Sequence, residues 1–332
     1  MRRLPVYIVV DTSESMIGEA IDQINVSLDR MLSTLYRNPY ALETVWLSLL
    51  TFDSQARVAV PLTELMEFRL PKLQARPGTA LGAAVDLLQD RIEKEVEKAN
   101  SDQKGDWRPI VFLLTDGQPT DKWRSAVKRL KTKKPRPGKI YAIGVGDEVD
   151  FGLLREIGDV TLRADSLTVE KLADLFVWMS ASIQSASRVA APGKYDDAAP
   201  LPEGVTEVGD DFPEAPDFPL QYFFHFTCVS TQGKYMARYH YQKETGLYRF
   251  VKAYPVPDDF TSGSSSSAAP QADATKIEDL PTCPYCGRTA WFVCRCGANL
   301  DLMEAGECCP HCGAQVAAIG DYDGSSVGRS RG

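Results

Sequence analysis

The sequence predicts an α/β protein: a doubly wound, mostly parallel sheet, then a small antiparallel β-meander and a ribbon-like module held by cysteine turns. Three observations carry this. Over residues 1–190, short apolar runs alternate with stretches of helical period, the pattern of strands covered on both faces by helices. The first run, Val6-Tyr7-Ile8-Val9-Val10, stops abruptly at Asp11-Thr12-Ser13-Glu14-Ser15, so a buried strand delivers a polar loop to one sheet edge. All cysteines but Cys228 crowd between Cys283 and Cys312 at metal-ligand spacing.

The elements follow in order. After the opening loop, Ile21, Ile24, Leu28, Met31, Leu32 and Leu35 recur at helical spacing and predict an amphipathic helix on the sheet. Residues 45–52 read as a strand and 57–60 as its antiparallel neighbour. The loop Arg76-Pro77-Gly78-Thr79 precedes a helix through Leu81, Val85, Leu88 and Ile92. Residues 109–115 are a third buried strand ending in Asp116-Gly117, and the helix over 122–133 is strongly basic. Strands at 140–145 and 160–162, a short helix at 153–157 and a closing helix at 169–187 complete the domain.

Residues 191–219, rich in proline and acid, are expected to be an extended linker with little structure. Three aromatic runs within 220–255, parted by Gln232-Gly233 and Thr245-Gly246, predict the meander. A Ser-rich linker over 256–280 leads to the cysteine block at 281–316, and 317–332 are expected to be a disordered tail.

Composition narrows the function. A length of 332 residues suffices for one full α/β domain plus something smaller. The net charge of -8 argues against a protein whose main task is gripping a phosphate backbone. No segment approaches the length of a membrane span, and the apolar run after Met1-Arg2-Arg3 ends at Val10, too short for a secretory signal. The cysteines are therefore read as reduced thiolates, and the location as cytoplasmic.

Asp11, Ser13 and Ser15 alternate, so three hard oxygens converge on one point, a set suited to Mg²⁺ or Mn²⁺. Thr79 and Asp116 sit at edges of the same sheet, so five oxygens from three loops surround one cation. A helix N-cap region is the bland alternative for Asp-x-Ser-x-Ser, but it does not account for Thr79 or Thr115-Asp116-Gly117. This set resembles the metal-ion-dependent adhesion site of von Willebrand factor A domains, with Ala142-Ile143-Gly144-Val145-Gly146 similar to that family's penultimate strand. The resemblance covers residues 1–190. It implies that the serines and threonine touch the metal, that the aspartates act through water, and that a partner's carboxylate completes the shell.

Cys283-Pro-Tyr-Cys286-Gly and Cys309-Pro-His-Cys312-Gly read as two zinc knuckles, each trailed by a glycine that allows a left-handed backbone. The preferred zinc set is Cys283, Cys286, Cys309 and Cys312. The rival pairs Cys283 and Cys286 with Cys294 and Cys296, and Cys308 is an extra thiol. With Cys228-x-x-Thr-x-Gly-Lys, these motifs resemble the TerY-like proteins of bacterial tellurium-resistance and stress systems, including their C-terminal metal-binding domain. That resemblance implies a PP2C-type phosphatase and a Ser/Thr kinase as partners.

No catalytic constellation emerges. An aspartyl-phosphate enzyme needs a carboxylate where Ser13 stands, and His225, His240 and His311 all lie outside the first domain, so no base serves its serines. There is no Gly-rich phosphate loop of a kinase. Lys122, Arg124 and Lys128 on the basic helix are candidates for docking an acidic partner segment. Cations from Lys234 to Lys252 interleave with tyrosines, as in single-strand nucleic-acid binders, although alternating strands produce the same pattern. The expectation is a non-enzymatic, Mg²⁺-dependent protein-binding adaptor stabilised by zinc, with Asp210 or Asp211 filling the open coordination position at rest. The alternative is a nucleic-acid-associated scaffold, against which Asp301, Glu304 and Glu307 outnumber Arg288 and Arg295 in the cysteine block.

Overall fold

Strand β1 (Leu4–Asp11) is buried at every position, and its side chains divide between two cores. Leu4, Val6, Ile8 and Val10 join one cluster, whereas Tyr7 and Val9 join the other. Period-2 alternation forces that division, and burial on both faces is what an apolar, unalternated sequence requires. The computed structural model describes residues 2–101, 104–116, 118–145, 149–164, 169–188, 200–209, 218–258, 260, 273–301 and 306–315. Asp210, Asp211, Glu304, the trailing Gly117 and residues 316–332 lie outside them.

The chain forms two units, Met1–Ala215 and Pro216–Gly332. In the first, β1 pairs in parallel with β2 (Val45–Phe52) on one side and β4 (Ile110–Thr115) on the other. β3 (Ala56–Glu64) closes the β2 edge antiparallel, and β5 (Lys139–Val145) and β6 (Val160–Ala164) extend the other side in parallel. One face carries α1 (Glu19–Leu35), α2 (Pro39–Thr44) and α6 (Val169–Arg188). The other carries α3 (Leu81–Glu95), α4 (Arg124–Thr132) and α5 (Phe151–Ile157). The sheet order β3-β2-β1-β4-β5-β6-β7, with β7 at Val205–Glu207, reverses its direction of growth between β1 and β4. That switch point opens a crevice beyond the carboxyl ends of the two strands, where ligands bind in this class of sheet.

The last strand in that order, β7 (Val205–Glu207), corrects the reading of 191–219 as a structureless linker. It pairs antiparallel with β6, and the Val208 amide donates to the Thr161 carbonyl at 2.8 Å. Three residues are too few to show a period amid proline and acid.

In the second unit, β8 (Gln221–Thr227), β9 (Lys234–Gln242) and β10 (Leu247–Pro255) form the predicted meander, turning where Gly246 has φ of 72°. The cysteine block joins the meander's sheet. β12 (Asn299–Leu300) pairs in parallel with β8 and antiparallel with β11 (Phe292–Val293), giving one five-stranded sheet in the order β10-β9-β8-β12-β11. Trp291 packs on Phe224 and Phe226, with ring centroids 4.6 and 5.1 Å apart, and bonds Asn299.

Candidate metal centres

Asp11 is the last residue of β1 and Asp116 directly follows β4, so the switch point sets two carboxylates side by side. Both are buried, as are Ser13, Ser15 and Thr79. The Ser15 hydroxyl donates to Asp116 Oδ1 at 2.6 Å and lies 2.8 Å from the Ser13 hydroxyl. Asp11 accepts from the Ser13 amide at 2.8 Å and from the Thr115 hydroxyl at 2.5 Å. Burial, with the neighbouring Asp116 charge adding to it, pushes the Asp11 carboxyl up to about 7.

The Thr79 loop is tied to its neighbours through its backbone. The Arg76 amide donates to the Thr12 carbonyl at 2.8 Å, Ser54 to Pro77 at 2.9 Å, and Ala80 to Asp53 at 2.7 Å. Gly78 has φ of 89° and lies against Ser54, where a Cβ would sit 3.0 Å from the Ser54 Cα. Among the described residues, the buried Thr79 hydroxyl has no hydrogen-bond partner. Two acids buried side by side and a buried hydroxyl with no hydrogen-bond partner among the described residues are the donor set of a hard divalent cation. The structure thus brings the DxSxS loop, the Thr79 loop and Asp116 together.

The cysteines group differently from either expected set. One cluster is Cys228, Cys283, Cys286 and Asp301, and the other is Cys294, Cys296, Cys309 and Cys312, with the ligand atoms of each within 4.8 Å of one another. Strand pairing is the reason. Leu300 stands opposite Thr227 in the parallel β8–β12 ladder, so the next residues, Cys228 and Asp301, emerge together. Asp301 accepts from the Val229 amide at 2.6 Å and from Cys286 Sγ at 3.0 Å. The first knuckle therefore closes on the meander. The shortened knuckle is left to face the last one, with Cys294 and Cys312 Sγ 3.6 Å apart and Cys296 and Cys309 Sγ 3.9 Å apart.

Gly287, Gly297 and Gly313 hold positive φ of 72°, 88° and 70°, as the knuckle geometry requires. Burial pushes the Cys283 thiol up to about 12, a cost that a thiophilic cation removes by replacing the proton. Cys308 is exposed and belongs to neither cluster. His311 is exposed, ligates in neither, and its Nε2 lies 2.9 Å from the Thr227 hydroxyl. Cys228 and Asp301 were missed by sequence reasoning. Cys228 did carry a signal, a Gly five residues on that closes a turn, with its amide bonded to the Gly233 carbonyl at 2.9 Å.

The basic helix spends much of its charge internally. Arg129 pairs with Asp86 and Lys133 with Glu93 on α3, and Arg124 lies over the Trp123 ring and 3.8 Å from Glu156. Lys122 and Lys128 are exposed. On the meander, Arg249 pairs with Glu278 and Asp279, Arg238 with Gln221, and Lys252 lies over Tyr254, as an ordinary alternating sheet would arrange them.

Among the described residues, no helix is long and apolar enough to cross a membrane. A family model of the von Willebrand factor type A domain matches residues 6–176, and one of the TerY-C metal binding domain matches residues 221–332. Matrilin-3 of Gallus gallus is 25% identical over 177 residues, 51% of this chain and 37% of that protein. Among solved structures, a von Willebrand factor type A protein from Catenulispora acidiphila matches at TM-score 0.42 and 15% identity, over 77% of this chain and 66% of that one. The pilus adhesin SpaC from Lactobacillus rhamnosus GG matches at TM-score 0.45 and 13% identity, over 56% of this chain and 30% of that one. The chain spans well under two thirds of matrilin-3 and of the adhesin. With the first family model taking in more than half of its residues, the chain belongs to the von Willebrand factor type A family and carries a TerY-C metal binding domain behind it.

Proposed function

We propose that this protein is a non-enzymatic adaptor whose first domain grips a carboxylate of a partner protein through Mg²⁺, or Mn²⁺ in its place. The observation that carries the reading is the buried set of two carboxylates and three hydroxyls, delivered by three loops to the sheet's switch point. Ser13, Ser15 and Thr79 offer neutral hydroxyls, and Asp11 and Asp116 balance the cation's charge while being held by Thr115 and Ser15. A cation bound mainly by hydroxyls stays electron-poor and favours an anionic oxygen from outside.

In the second unit, Zn²⁺ at each cysteine cluster supplies folding energy rather than chemistry, since a four-ligand site is closed to substrate. The TerY-like resemblance supports reading the adaptor as part of a cytoplasmic stress system of the tellurium-resistance type, with a PP2C-type phosphatase and a Ser/Thr kinase as candidate partners. Pull-down from a lysate in Mg²⁺ should recover a partner that is lost in EDTA and with Asp11→Ala, while circular dichroism keeps its native form. Equal recovery in all three removes the cation from the mechanism.

A further inference from the structure

The first turn of α3 begins two residues after Thr79, and its local sequence lacks the residues that normally cap a helix. Ala80 stands at the cap position and has no side-chain acceptor for the first amides, and there is no acid in the first turn. The missing acceptor comes from another loop. Asp121, five residues past Asp116, accepts from the Gly82 amide through Oδ1 and from the Ala83 amide through Oδ2, both at 2.9 Å. Its neighbour Thr120 bonds both sides of Thr79: its amide donates to the Thr79 carbonyl at 2.9 Å, and its hydroxyl accepts from the Thr79 amide at 3.3 Å. Gly82 makes the approach possible, since a Cβ there would lie 2.8 Å from the Lys122 carbonyl oxygen and the Trp123 Cα.

We propose that Asp121 is a positioning residue of the cation site: with Thr120, it clamps the Thr79 loop to the Asp116 loop and sets the unpartnered Thr79 hydroxyl in place before the cation arrives. This deepens the adaptor reading and rests on it. Four hydrogen bonds join Thr120 and Asp121 to Thr79 and the first turn of α3, so these pieces of chain are held together. The clamp is independent of any ligand, which makes the site preorganised rather than assembled by Mg²⁺. Groups that orient metal ligands from behind typically change metal affinity by about 10- to 100-fold when removed.

Asp150 provides the matched control. It caps α5 of the same domain by accepting from the Leu153 amide at 3.0 Å, and so loses a comparable cap when replaced. Mg²⁺ is titrated calorimetrically into the full chain, with Asp121→Ala, Asp121→Asn, Gly82→Ala and Asp150→Ala compared at a temperature where each is folded by circular dichroism. Asp121→Ala and Gly82→Ala should bind Mg²⁺ about 10-fold or more weakly, Asp121→Asn should recover part of the loss, and Asp150→Ala should match the parent. Parent-like affinity in Asp121→Ala or in Gly82→Ala, or an equal loss in Asp150→Ala, overturns the clamp while leaving the adaptor reading standing. A parent chain that takes no Mg²⁺ overturns both.

Discussion

At residue scale the case for a cation rests on Asp11 and Asp116, buried at the ends of neighbouring strands. Burial raises the affinity of Asp11 for a proton, and repulsion from the neighbouring Asp116 carboxylate adds to it. Replacing one of them should therefore help the empty domain and harm the loaded one. Asp11→Asn keeps an acceptor for the Ser13 amide, so it should raise the unfolding temperature in EDTA and abolish the rise that Mg²⁺ gives the parent. A lower unfolding temperature in EDTA would contradict the repulsion argument.

His240 makes a second residue-scale prediction. Burial, with Arg238 beside it, pushes its imidazole from 6.5 down to about 4, so the unfolded chain takes up the proton first as pH falls. Stability of the second unit is fully present above 6.5 and should drain as pH falls toward 4. His240→Phe should flatten that part of the urea-midpoint profile. An unchanged profile would place the pH dependence elsewhere.

At the scale of elements, legibility followed length and locality. β1, β2, β4 and β5 were legible because each is an apolar run covered on both faces; Asp11, Ser13, Ser15 and Asp116 stood out as candidate ligands because they sit where such runs stop, and Thr79 by its Pro-Gly-Thr turn. β7, β11 and β12 hold only two or three residues each, too few for any period, and β7 and β12 exist through pairing with distant strands. The same short ladder decided the cysteine grouping: spacing identified the thiols, but the β8–β12 register chose their neighbours and enlisted Asp301. The Asp121 cap was invisible for a related reason, since a helix capped from another loop leaves no mark in its own sequence. Zinc stoichiometry by mass spectrometry tests the grouping. The parent should hold two ions per chain, Cys228→Ser and Asp301→Ala one each, and Cys308→Ser still two. Full retention in Cys228→Ser would return the ligands to the knuckles alone.

For the whole molecule, two units with separate cores and separate metals should unfold separately. Calorimetry of the full chain should show two transitions. Mg²⁺ at 100 times its dissociation constant should stabilise the first unit by about 2.7 kcal/mol, and a zinc chelator should lower the second alone. A single transition responding to both metals would mean that the units are thermodynamically one. Central to the account is a hard cation held by hydroxyls and acids from three loops, with room for a guest oxygen. A crystal structure grown in saturating Mg²⁺ and acetate tests this most directly. It should show one ion touching Ser13, Ser15 and Thr79, with an acetate oxygen completing its shell; no ion there, or an ion enclosed wholly by the chain's own side chains, would contradict it.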